Sequence, residues 1–182
     1  MDRRWRRALA IGAVAVVTVA GSVAVASGDD GSGRNTDIKE RLSGFEEDPL
    51  ALSTTGTGEF QARINPAGDE ISYTLSYSAL EGNVLQAHIH VGGIHQSGGI
   101  SVFLCSNLGN GPVGTQLCPP APATVEGVLV PADVIGPVGQ GITAGQFDEL
   151  VEAIRSGTTY VNVHSSLYQG GEIRSQLGHQ DH

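Results

Sequence analysis

The segment Ile71-Ser-Tyr-Thr-Leu-Ser-Tyr-Ser78 alternates strictly between apolar and hydroxyl side chains. Successive side chains of a strand point to opposite faces, so a period of two predicts a strand with one buried face. The same pattern recurs in Gly58–Ile64, Val84–Val91, Gly99–Cys105, Thr124–Val130, Thr159–Ser165 and Glu172–Leu177. Turn residues separate these runs, as in Pro66-Ala-Gly-Asp69, Glu81-Gly-Asn83 and Tyr168-Gln-Gly-Gly171. Helical periodicity occurs once. Phe147, Leu150, Val151 and Ile154 fall at i, i+3, i+4 and i+7, with Thr143 and Gln146 placed to cap the start and Gly157 to end it. The pattern predicts an all-β chain, an antiparallel β-sandwich or flattened Greek-key barrel of seven or eight strands with one short helix.

The N-terminus reads differently. Arg3, Arg4, Arg6 and Arg7 precede Ala8–Ala26, which carries no charge and ends in Ala24-Val25-Ala26. A basic start, an apolar stretch and an A-x-A site predict a signal peptide over residues 1–26, with an N-terminal anchor as the alternative. Residues 27–36 read as a flexible linker, 37–178 as the β domain and 179–182 as a tail. The expected location is extracytoplasmic, secreted or anchored at the cell surface. There Cys105 and Cys118 are expected to form a disulfide, because an even pair in an exported chain most simply pairs. The alternative, a pair of thiolate ligands, has a spacing that fits no standard zinc pattern. Acidic side chains number 19 against 10 basic ones, a net charge of −9. That balance argues against nucleic acid as a partner and leaves membrane contact to the N-terminal segment.

The same period of two sorts the polar residues. In Val84–Val91, the residues Leu85, Ala87, Ile89 and Val91 share a face, and His88 and His90 lie opposite with Gln86. In Thr159–Ser165, Tyr160, Asn162 and His164 lie opposite Val161 and Val163. In the last strand, Glu172, Arg174 and Gln176 lie opposite Ile173 and Leu177. With apolar faces in the core, these polar sets belong outside it or beneath a loop. His88 and His90 would have Cα atoms ~6.6 Å apart, and His164 on a neighbouring strand can supply a third imidazole. Three histidines suit copper or zinc, with Asn162, Glu172 and Arg174 as supporting neighbours. The competing expectation is a solvated face on which Glu172 and Arg174 pair across strands. His95 lies in a glycine-rich loop as a further candidate ligand, and His179 and His182 fall in the tail. No Gly-x-Ser-x-Gly elbow, no free cysteine and no phosphate-binding loop can be read, so the chain looks more like a binding protein than an enzyme.

Five segments together resemble one family: Leu42-Ser-Gly-Phe-Glu-Glu-Asp-Pro49, Gly56-Thr-Gly-Glu-Phe60, Ala87-His-Ile-His-Val-Gly92, Tyr160-Val-Asn-Val-His-Ser165 and Gly170-Gly-Glu-Ile-Arg-Ser-Gln-Leu177. Their order is similar to the CHRD domain, named from chordin and also found singly in exported bacterial proteins. The resemblance covers about Asp37 to Gly178. Ser175 departs from the glycine that typically follows the arginine, and the segment carrying Cys105 and Cys118 makes this copy longer. The resemblance implies an immunoglobulin-like or superoxide-dismutase-like barrel. It also implies a secreted or cell-surface binding or structural module, whose partner would be a protein or a cell-envelope component. The likeness of the H-x-H strand to the copper site of dismutases is one of fold alone, and fold does not set function.

Overall fold

The structure is a computed structural model in which residues 37–178 are described. The expected signal or anchor, the linker and the tail histidines His179 and His182 lie outside the described residues. No helix among the described residues is long and apolar enough to cross a membrane. Eight strands form one antiparallel sheet: β1 (Asp37–Ser43), β2 (Thr57–Ile64), β3 (Ile71–Ser78), β4 (Val84–Val91), β5 (Gly99–Ser106), β6 (Ala123–Leu129), β7 (Thr159–Ser165) and β8 (Ile173–Leu177). Their order is β5-β4-β7-β8-β1-β2-β3-β6. The sheet curls until β5 and β6 lie against each other, giving a nearly closed barrel and leaving little free edge.

The alternating apolar residues fill the interior. Phe60, Ile64, Ile71, Leu75, Ile89, Val102, Leu104, Val161, Val163, Ile173 and Leu177 are buried in one cluster. The helix α1 (Phe147–Arg155) adds Phe147, Leu150, Val151 and Ile154. Its capping differs in part from expectation. The N-cap is Gln146, whose side-chain Oε1 reaches back to accept from the Thr143 N–H, so half of a capping box forms. Gly157 ends the helix as expected, with φ +69° and its N–H on the Ile154 carbonyl.

Two further differences have local causes. Strand β1 is absent from the alternation reading because only Ile38 and Leu42 are apolar in it, and Glu40 occupies the position between them. Val84 rather than Leu85 enters the core, because the β4–β7 pairing shifts between Val84 and Gln86 and reverses the pleat there.

The seam between β5 and β6 is tied by side chains. The Tyr73 hydroxyl donates to the Leu104 carbonyl at 3.0 Å. Cys105 and Cys118 are joined, which anchors the loop leading from β5 towards β6. The expected disulfide therefore forms, and the thiolate-ligand alternative falls. The double variant Cys105→Ser/Cys118→Ser is expected to lose about 3 kcal/mol, the chain-entropy value for a loop of this length, measured by urea unfolding.

Candidate metal centre

Strands β4, β7 and β8 are adjacent, and their polar faces form one continuous surface outside the apolar interior. Pairing aligns His88 with Asn162 and Asn162 with Arg174 in one row across the sheet. The next row aligns His90 with Tyr160 and Tyr160 with Gln176. This face is not solvated. Every residue of β7 and β8 is buried, and the Gly92–Gly99 segment folds over His90, Tyr160, Arg174 and Gln176 on the polar side.

That cover is held by the side chains beneath it. Arg174 donates to the carbonyls of Gly93 and Gln96, both at 3.1 Å. Gln176 donates to the Gly92 carbonyl at 2.9 Å. The Tyr160 hydroxyl accepts from the Gly98 N–H at 3.1 Å, and His90 Nδ1 meets the Gly98 carbonyl at 2.9 Å. On the outer side, Ser97 donates to Asp48 at 2.8 Å.

Beneath the cover the three histidines converge. His88, His90 and His164 are only 0, 8 and 6 % exposed. One ring nitrogen from each lies within 4.8 Å of the others. The proton positions follow from the partners, since a carbonyl can only accept. His90 Nδ1 donates to Gly98, and His164 Nδ1 donates to the Gln169 carbonyl at 2.9 Å. Both residues therefore carry the ring lone pair on Nε2, away from their carbonyl partners. His88 Nδ1 stands 3.2 Å from His164 Nε2, so it carries the proton of that contact and leaves its own Nε2 bare. His88 Nε2, His90 Nε2 and Asn162 Oδ1 are buried without a hydrogen-bond partner. Asn162 stands beside His90, but no hydrogen bond of normal geometry closes between them. Leaving such groups unpaired costs about 1–3 kcal/mol each, and native structures rarely retain them without a ligand or a function.

Burial also keeps these rings neutral, which is the metal-binding form. It pushes His88 down to about 2, with His164 and His90 adding to the shift. It pushes His90 down to about 4, partly opposed by the Gly98 carbonyl, and it lowers His164 as well. Neutral in the fold and free to protonate near 6.5 in the unfolded chain, each ring leaves stability intact above about pH 6.5. That stability is lost as the pH falls from there. Glu47 has the opposite sign. Burial outweighs the nearby Arg174 guanidinium and raises its carboxyl from 4.5 to about 8. Its contribution is complete below pH 4.5 and disappears as the pH rises to 8. The metal-free domain is expected to be most stable near pH 6.5. From there to pH 5 it should lose roughly 1–3 kcal/mol per pH unit, measured by urea midpoints.

The other expected members of the site divide. Arg174 is at its edge, with its guanidinium carbon 3.6 Å from the centroid of the Tyr160 ring, which itself stacks on His90 at 4.8 Å. Glu172 is elsewhere. Its Oε1 accepts from the Thr54 hydroxyl and the Glu81 N–H, both at 2.7 Å. The expected Glu172–Arg174 pair does not form, because each side chain is engaged by a different loop. His95 sits at the exposed tip of the cover with φ +58° and is outside the cluster. Alternation did not reveal Phe103, whose ring lies edge-on to His88 at 4.4 Å. Nor did it reveal the carbonyls of Gly98 and Gln169 or the buried Glu47. A backbone acceptor leaves no mark in side-chain type, and Glu47 lies in no strand.

The CHRD domain family matches the chain over residues 38–177, from the first strand to the last. The chain belongs to the CHRD family. No curated protein and no solved structure matches it. The histidines are thus placed on two strands of a CHRD domain, and the segment covering them, Gly92–Gly99, lies within the matched span.

Proposed function

We propose that this CHRD domain is an extracytoplasmic binding module that holds one copper or zinc ion through His88, His90 and His164. The observation that carries this reading is the convergence of three buried, neutral imidazoles, of which His88 and His90 each keep an unpartnered Nε2. His90 and His164 each donate the remaining N–H to a backbone carbonyl, the arrangement that orients metal-ligating histidines. Imidazole nitrogens suit copper and zinc. Ligands at 2.0–2.1 Å from a tetrahedral ion stand about 3.3 Å apart. Closing the present span of up to 4.8 Å is within reach of side-chain rotation. Dialysis of untagged protein against copper or zinc, followed by elemental analysis, tests it. One ion per chain is expected, and no retained ion would refute the reading.

The disulfide fits an oxidising, extracytoplasmic compartment. Residues 1–26 are proposed as the export signal or anchor, 27–36 as linker, 37–178 as the binding domain and 179–182 as tail. If the signal is cleaved, intact mass of the exported protein should start at Ser27; a mass that includes Met1–Ala26 would identify an anchor. A second reading, contact with a protein or cell-envelope partner, is favoured by a cavity of about 290 Å³ beside Arg174. Phe45 and Ile94 line it and are 70 and 48 % exposed. Under that reading, Phe45→Ser would weaken retention on isolated cell envelopes and leave metal content unchanged.

A further inference from the structure

Resting on the three-histidine reading, the charge around the site points to the oxidation state of its ion. The converging ligand set contains no carboxylate and no thiolate. The charged group joined to it through packing is a cation. Arg174 is 2 % exposed and lies on the Tyr160 ring that stacks with His90. Glu47, Asp48 and Glu172 lie outside the ligand set. Glu47 is buried, and its carboxyl holds its proton to about pH 8. Asp48 is drawn to Ser97 on the outer side of the cover. Glu172 is held by Thr54 and Glu81. Phe103 closes the His88 side with an apolar ring edge.

The cost of burying an ion in such surroundings rises steeply with its charge. Three neutral imidazoles bring no compensating charge, and the guanidinium repels each added unit. A divalent ion would need an anionic fourth ligand, whereas a monovalent ion would not. Cu(I) is a monovalent cation that takes nitrogen donors at low coordination number, which Na⁺ and K⁺ do not. We propose that the three-histidine site takes copper as Cu(I) in preference to Zn²⁺ or Cu²⁺, and that Arg174 sets this preference.

Anaerobic competition of the untagged protein with chromophoric chelators measures the three affinities. The dissociation constant for Cu(I) is expected to lie at least about 100-fold below those for Zn²⁺ and Cu²⁺. Arg174→Gln removes the charge while keeping an amide that can donate to the covering loop. It should narrow the ratio at least about tenfold. Arg174→Lys keeps the charge and should keep the ratio, with circular dichroism reporting the fold of both variants. Zn²⁺ or Cu²⁺ binding as tightly as Cu(I), still dependent on the histidines, would overturn the preference and leave the three-histidine site standing. An unchanged ratio in folded Arg174→Gln would overturn the role of Arg174. Failure of every ion to bind would instead remove the site itself. If Arg174→Gln does not fold, the order of the wild-type affinities alone decides the preference.

Discussion

The double variant His88→Ala/His164→Ala is expected to lose copper binding by a factor of at least about 100, because two of the three proposed ligands are removed at once. Stability separates a ligand role from a structural one. At a free copper concentration 100 times its dissociation constant, the wild-type domain gains about 2.7 kcal/mol from the bound ion. The variant should gain nothing. In the metal-free state the two proteins should be closer. Truncating the buried His88 ring leaves a cavity, which destabilises. Its unpartnered Nε2 disappears with it, which offsets part of that loss. The expected metal-free difference is within about 2 kcal/mol. If the imidazoles were only packing and hydrogen-bonding elements, copper would stabilise neither protein and the variant would be much the weaker. Urea unfolding with and without copper distinguishes the two.

Gly98→Ala should be the most damaging single-methyl change in the cover. A Cβ there would stand 1.6 Å from the Val91 carbonyl oxygen and 2.6 Å from its carbon. Both are backbone atoms of β4, so no flexible side chain can yield. The loop must lift instead, and Gly98 is where the site holds it: its carbonyl accepts from His90 and its N–H donates to Tyr160. The steric cost is expected at about 1–3 kcal/mol. Copper affinity should fall a further 10- to 100-fold, as when an orienting partner of a metal-bound histidine is lost. Gly139→Ala is the control, since a Cβ there meets nothing within 4 Å. It should change stability by no more than about 0.5 kcal/mol and leave copper affinity unchanged. Equal effects of the two substitutions would show that Gly98 has no special part in holding His90.

Much of the barrel was legible because a strand's faces follow from local alternation. Strands β3, β4 and β7 have the bounds that alternation predicts, and the helix begins and ends where its apolar spacing and Gly157 place it. Strand β1 escaped because Glu40 interrupts its apolar face. The same period of two placed His88 and His90 on one strand, and His164 on another, opposite the apolar residues of each; the pairing of β4 with β7 brings them onto one face. Their neighbours were legible only in part. Arg174 is at the site, whereas Glu172 turns towards the loops carrying Thr54 and Glu81.

Alternation by itself determined which side chains oppose the core, because direction along a strand is a property of each residue and its immediate neighbours. It could not determine whether that opposite face meets water or protein. The tertiary structure decided this by laying Gly92–Gly99 over His90, Tyr160, Arg174 and Gln176. The decisive bonds join Arg174 to Gly93 and Gln96, and Gln176 to Gly92, across some eighty residues of chain. They exist only once β4, β7 and β8 are side by side. Burial turns three polar strand residues into neutral imidazoles, two of them with an unpartnered Nε2, and no local pattern encodes it.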